Sequence, residues 1–387
     1  MSSAVVPLKQ KGQVCLSACK TYAFEEVHAA LREQLDALHV EELLFPGCRV
    51  VIKPNLVIRS KPEEGVITHP AVVAAVAVEL LERGAGHVTV AESPGGPYTP
   101  PLLRAIYEAG GYTELAQTYG FSLNFDCSYG SLEAPQGQRC KRFDVIQPVL
   151  EADLLVDIAK LKTHGMMGLS AAVKNLFGCV PGLMKPELHC RFPEREAFGE
   201  MVADLCCALK PALCVVDGIV GMEGNGPTGG KPRLVGALAA SRDPFALDMV
   251  CASLIHQNPV HVPYLRAGMK RGVCPESLDE LSLWGVPVQS LAVSDFIQPE
   301  SCSVNFLDWL PKFLRPLAEK VATPVPKIQT NHCVGCGKCA ESCPQHTIRI
   351  AGGHAVIDYR KCIRCYCCHE MCPKHVIDIK RFRLFRF

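Results

Sequence analysis

No stretch of this sequence stays apolar for long enough to cross a bilayer. The most apolar run, AVVAAVAV, stops at Glu79, and a spanning helix needs ~20 such residues. The opening residues show no basic region followed by a long apolar core, so no secretory signal is expected. An excess of either charge is missing as well, with 40 basic residues against 39 acidic ones. No whole-chain field then points to nucleic acid or to an anionic membrane. Low-complexity segments are absent. The expectation from these absences is a cytoplasmic protein with no nucleic-acid partner and no membrane span.

Two nucleotide signatures also fail. Gly224, Gly226 and Gly229 have the G-x-G-x-x-G spacing, but Pro227 lies inside it and a strand-like KPRLVGALAA follows instead of a helix. That excludes a dinucleotide fingerprint. The same loop is no P-loop, because its terminal Gly-Lys lacks the Ser or Thr that follows in that motif. Two readings of the loop stand side by side: a cover over a ligand, contacting it through Asn225, and a plain hairpin. Nothing marks a flavin site.

Cysteine is plentiful. Of 22 cysteines, nine fall between Cys333 and Cys372. A chain of 387 residues, 48% of them hydrophobic, can bury a large core and needs no disulfide staples. Metal-bound thiolates in a reducing compartment fit better. Cys333, Cys336, Cys339 and Cys343, the last followed by Pro344, spell C-x2-C-x2-C-x3-C-P. Cys362, Cys365, Cys368 and Cys372, followed by Pro373, spell it again with every ligand displaced by 29 positions. Three cysteines in a tight loop reach three corners of a cubane, and the fourth ligates the cluster of the other half. Cys333, Cys336, Cys339 and Cys372 are therefore assigned to one 4Fe-4S cluster, and Cys362, Cys365, Cys368 and Cys343 to a second. A four-thiolate zinc site does not explain two interlocked runs that both end in proline. Cys367, a ninth cysteine inside the second loop, is read as a bystander. Cys15, Cys19, Cys179, Cys190, Cys206 and Cys207, with His189, are read as ordinary residues and not as a third metal site.

This C-terminal segment, from Lys327 to Ile379, resembles bacterial two-cluster ferredoxins. The resemblance implies low-potential, one-electron transfer at each cluster and a redox partner protein, a ferredoxin or a reductase.

The first ~300 residues alternate apolar strand-like runs with helical ones, which predicts a mostly parallel sheet with helices on both faces. The expected class is α/β, with a small α+β ferredoxin-type 2x(4Fe-4S) unit attached. The expected organisation is an α/β domain over 1–298, an amphipathic segment and stiff linker over 299–326, and the ferredoxin unit over 327–387. Polar clusters fall just after predicted strands: Lys53 and Asn55, Glu92, then Lys160, Lys162 and His164, then Asp217, and finally Ser241 to Asp243. In a parallel sheet these positions share the carboxyl edge, where open α/β sheets bind ligands. Lysines there suit a small anion, so Lys53, Asn55, Glu92, Lys160, Lys174, Asn175, Asp217 and Asn225 are candidate ligand contacts. Lys162 and His164 are candidate proton donors.

The motifs KPNLV, THP, AESPGG, KLKTHGMMGLSAAVKNLFG, VDGIVGMEGNGP and SRDPFALD, spread over Val50 to His256, resemble the family known as domain of unknown function 362. A ferredoxin tail is a frequent companion in that family. The resemblance implies the architecture and no particular reaction. Two functions fit the residues. One is an oxidoreductase that passes low-potential electrons to an anion on the α/β domain. The other is a ferredoxin-type carrier or binding module with no chemistry of its own.

Overall fold

The computed structural model describes residues 12–299 and 324–380. The first part holds β1 (Gln13–Ala18), β2 (Arg49–Pro54), β3 (His87–Val90), β4 (Ser122–Leu123), β5 (Tyr129–Glu133), β6 (Arg142–Ile146), β7 (Leu154–His164), β8 (Gly168–Ser170), β9 (Leu213–Glu223), β10 (Lys231–Ser241) and β11 (Ser282–Gly285). Nine of these form one sheet in the order β11-β1-β10-β9-β7-β2-β3-β4, with β8 pairing with β7 off that path. Strands β5 and β6 form a separate hairpin.

The sheet is sandwiched. On β7, Val156 and Ile158 pack into a core with the helices Phe24–Ala37, Pro70–Glu82 and Pro100–Ala109. Leu155, Ala159 and Leu161 pack into the opposite core, with Arg195–Leu209, Pro244–Leu254 and Pro263–Lys270. Alternate residues of a strand point to opposite faces, so a strand covered on both sides needs apolar residues throughout. The class is therefore α/β, mostly parallel, with helices on both faces.

One strand departs from the expected direction. β10 runs antiparallel to β9, pairing Lys231 with Glu223 and Ser241 with Cys214. The loop between them is far shorter than the dozen or so residues that a parallel crossover needs. Ser241 to Asp243 therefore lie at the edge opposite the expected rim. There the Asp243 carboxylate caps the helix Pro244–Leu254, accepting from the amides of Phe245 and Ala246 at 2.9 and 3.1 Å. The rim has four polar clusters, not five.

The C-terminal part holds β12 (Val325–Ile328), β13 (Ile348–Ala351), β14 (His354–Ile357) and β15 (Ile377–Lys380), paired β12 with β15 and β13 with β14, both antiparallel. The linker expected up to residue 326 is corrected at its described end: a strand starts at Val325, and Pro326 sits in a two-stranded pair where no further strand needs its missing amide. The amphipathic stretch interrupted by Pro311 and Pro316 lies outside the described residues. The sequence repeat is also a backbone repeat. Gly335, Gly337 and His346 have φ of 65, 80 and 48°, and Arg364, Tyr366 and His375, each 29 positions later, have 56, 62 and 51°.

The ferredoxin repeat packs against the carboxyl edge of the large sheet. Tyr366 and Ile379 join the core beneath that edge. Thr228 Oγ1 donates to the Glu370 carbonyl at 3.0 Å, and His369 Nε2 lies 2.9 Å from the Asn225 carbonyl. A Cβ on Gly229 would come within 2.5 Å of the His369 ring, so the β9–β10 loop needs glycine there.

Candidate functional site: a lysine-lined cavity beside the cysteine repeat

Strand β7 carries Asp157, Lys160, Lys162 and His164 and is buried along its whole length. The expected strand ended before Lys160; it continues to His164, so these groups stand on the strand itself. A solvated surface position is thereby ruled out for Lys53, Lys160 and Lys162, whose exposures are 0, 1 and 0%. Buried ammonium groups need partners, and each has them.

Lys53 Nζ lies 2.6 Å from Glu92 Oε2 and donates to Asn175 Oδ1 at 2.9 Å. Asn55 Nδ2 donates to the same Asn175 oxygen at 2.9 Å, while Asn175 Nδ2 donates to Asp157 Oδ1 at 2.9 Å. Lys162 Nζ donates to Asn55 Oδ1 at 2.6 Å and to the Val66 carbonyl at 2.7 Å. The chain of partners fixes which end of each amide points where. Gly178 presses against the Lys53–Glu92 pair; a Cβ there would fall 2.2 Å from Glu92 Oε1 and 2.6 Å from Lys53 Nζ. The short helix Ala172–Asn175, which carries Lys174 and Asn175, is held by Asp248, whose carboxylate accepts from the amides of Ala172 and Val173 at 2.7 and 3.1 Å.

These groups open onto a cavity of about 90 Å³. Lys53, Asn55, Glu92, Lys162, His164, Lys174 and Asn175 all line it. Three expected contacts are elsewhere. Lys160 Nζ is paired with Asp217 Oδ2 at 2.9 Å and with the Tyr22 hydroxyl at 2.8 Å, and the His69 amide donates to the same Asp217 oxygen. That pair is a brace between strands β7 and β9. Asn225 uses its carbonyl to seat His369 of the ferredoxin repeat.

Ser93, which follows β3 together with Glu92, lines the cavity too, and sequence reasoning missed Lys185, Glu370 and Cys367, which also line it. Lys185 Nζ donates to the Ser93 carbonyl at 2.6 Å. It belongs to the short helix Met184–Arg191, which follows no strand, so the rim argument passed over it. Glu370 lay among the expected cluster ligands, where only the domain packing gives it a role.

Burial governs the protonation of the site. Burial, with Lys160 nearby, pushes the Lys162 ammonium down to about 7. Burial pushes Lys185 down to about 7 as well, against the pull of Glu92. Lys174 is lowered by burial too, and its Nζ sits 4.6 Å from the centre of the Phe177 ring. Burial, then Lys174, holds His164 well below the usual histidine range, and burial takes His189 down to about 3. Nδ1 of His164 accepts from the amides of Met166 and Met167, which leaves its proton on Nε2, 3.5 Å from Glu370 Oε1.

The cysteines line two further cavities. Cys333, Cys336, Cys339 and Cys372 surround one, and Cys343, Cys362, Cys365 and Cys368 surround the other. The thiols suit iron, and backbone amides reach them: Thr347 N lies 3.4 Å from Cys343 Sγ, and Val376 N, its repeat equivalent, 3.5 Å from Cys372 Sγ. Such contacts tune a cluster's potential. Cys367 lines both the second cysteine cavity and the lysine cavity.

Residues 50–253 match the family described as a domain of unknown function (DUF362). The chain belongs to that family. Residues 325–373 match a 4Fe-4S dicluster domain, so this DUF362 protein binds iron–sulfur clusters through that domain and has an electron-transfer role. It is 35% identical over 269 residues to the thylakoid-associated protein sll1697 of Synechocystis sp., covering 69% of this chain and 81% of that one. Among solved structures it is similar to the lactate racemase apoprotein of Thermoanaerobacterium thermosaccharolyticum, with a TM-score of 0.40, 15% identity, and coverage of 65% of this chain and 59% of that one. A protein from Thermotoga maritima gives a TM-score of 0.36 at 13% identity, covering 59% of this chain and 58% of that one. The chain spans less than two thirds of either solved structure. Among the described residues of this DUF362 protein, no helix is long and apolar enough to cross a membrane.

Proposed function

We propose that this protein is an iron–sulfur oxidoreductase whose lysine cavity binds a small anion next to a 4Fe-4S cluster. Each four-cysteine cavity would hold one cluster, and each cluster supplies one electron at low potential. The observation that carries the reading is the place of Cys367, on the wall shared by the second cysteine cavity and the lysine cavity. The other cysteine set is the outward one, with Cys336 exposed and the neighbouring Val334 61% exposed, which suits an approach by a redox partner protein. Lys53 is committed to Glu92, whereas Lys162, Lys174 and Lys185 present cationic groups to the anion. Lys162 exchanges its proton near neutral pH, which suits a group that donates to a ligand taking up electrons. His164, neutral and oriented by two backbone amides, serves beside it as a hydrogen-bond donor through Nε2.

The test is anaerobic. Dithionite-reduced protein, freed of excess reductant, is mixed with a panel of small carboxylates and oxyanions while the visible absorption of the clusters is followed. Reoxidation by at least one anion is expected in the wild type and lost in Lys162→Ala. Reoxidation by no anion, together with rapid electron exchange with an added ferredoxin, would leave a carrier in place of an oxidoreductase.

A further inference from the structure

A second cavity, of about 300 Å³, opens beside the lysine cavity in the cleft between the α/β domain and the ferredoxin repeat. Its size falls within the ~300–1,000 Å³ range typical of small-molecule sites. Its wall is apolar, built from Ile58, Leu102, Ile106 and Leu183; of its polar residues, Arg59, Lys338 and Glu341 are exposed and Ser342 is buried. Gly95, Gly96, Ser342 and Met371 line both cavities. The partition between them is thus two glycines, a serine and a methionine. A Cβ on Gly95 would fall 2.3 Å from Met371 Sδ, so the glycine is what allows the thioether to lie there. Methionine is unbranched and adapts its shape to what packs against it. The partition carries no charge and little bulk.

One chamber is small and cationic, the next is larger and apolar, and a flexible side chain separates them. We infer that the ligand is a carboxylic acid with an apolar tail, its carboxylate among Lys162, Lys174 and Lys185 and its tail past Met371 in the apolar chamber. This rests on the anion site of the preceding section and adds the class of molecule that fills it. Charge complementarity selects the head, and the apolar wall selects a chain or ring for the tail. A simple inorganic anion would leave the larger chamber unused.

The experiment is calorimetric titration of the intact, cluster-loaded protein with straight-chain monocarboxylates from acetate to decanoate, and with the primary alcohols of matching length. Affinity should rise about fourfold per added methylene, which corresponds to ~0.8 kcal/mol each, until the chamber is full. Leu102→Trp, which fills the apolar chamber, should abolish that increase, so that long acids bind no more tightly than acetate. Leu183→Trp is the second variant, placed at a side chain already 47% exposed, where folding has little to lose. Equal affinity for short and long acids would overturn the tail and leave the anion site standing. Alcohols that bind as tightly as the acids would overturn the joined site. No binding by any acid would overturn the anion site itself.

Discussion

His164 Nε2 and Glu370 Oε1 face each other at 3.5 Å where the end of the central strand meets the second cysteine loop. Glu370 lies between Cys368 and Cys372 of the second cysteine run, so the contact joins the interior of the α/β sheet to the 4Fe-4S dicluster domain. The cationic cavity exists only because the two parts pack this way: Ser342, Cys367, Glu370 and Met371 supply one wall, and the strand ends with the short helices around Phe177 and Lys185 supply the others.

Iron content tests the cysteine grouping. Anaerobically prepared protein should hold about eight irons and about eight acid-labile sulfides per chain. Cys336→Ala and Cys365→Ala should each lose about half of that, and electron paramagnetic resonance of the reduced variants should show different surviving signals. Identical signals from both would contradict two separate ligand sets.

Removing the Lys162 ammonium should weaken anion binding by roughly ten- to a hundredfold, the worth of a charge-assisted hydrogen bond of about 1.5–3 kcal/mol. Lys162→Ala should keep its clusters. Lys160→Ala is the comparison, since that lysine is committed to Asp217 and does not line the cavity. Equal loss of affinity in both variants would mean that the cavity does not define the site.

Lys162 also sets a pH dependence. Its ordinary value of 10.5 falls to about 7 in the folded protein. Between these values the unfolded chain binds more protons than the folded one, so this contribution to stability rises with pH across that window. It is fully present above 10.5 and is lost as pH falls through about 7. Urea unfolding should therefore show the wild type gaining stability relative to Lys162→Met as pH rises from neutral towards 10.5. Anion affinity should move the other way, falling above pH 7 as Lys162 and Lys185 lose their protons.

The Lys160–Asp217 pair tests the division between brace and site. Asp217→Ala leaves an uncompensated buried ammonium and should cost about 3–5 kcal/mol. Replacing both partners, as Lys160→Met with Asp217→Leu, should recover most of that stability. Chemical denaturation of the three proteins measures it. A double variant no better than Asp217→Ala would show that the pair holds more than its own charge.

Gly178→Ala places a methyl group against the Lys53–Glu92 pair. The expected result is a loss of about 1–3 kcal/mol from overpacking, together with weaker anion binding at unchanged iron content. Unaltered stability and affinity would show that the pair relaxes freely.

The sequence by itself carried the cluster chemistry. Ligand spacing is local: each loop would offer three cysteines to one cluster and a proline-marked fourth to the cluster of the other half, so Cys333 to Cys372 could be grouped without a structure. The α/β class was also legible, because burial on both faces forces long apolar strands and helices with one apolar face. Much of the rim could be read too, since residues after strands share an edge once the strands are parallel. The antiparallel turn of β10 was not seen, although the short loop before it was the available sign.

Tertiary structure decided which charged residues share a space. Lys160 and Lys162 are two apart on one strand and point to the same face, yet one braces β9 while the other lines the cavity. Pairing depends on what the neighbouring strand presents: Asp217 beside Lys160, and Met222 beside Lys162 after the register shift. Lys185 and Cys367 reach the same cavity from a short helix and from the cysteine loop. Their closeness comes from packing between distant segments, and no periodicity or spacing in the chain encodes that contact.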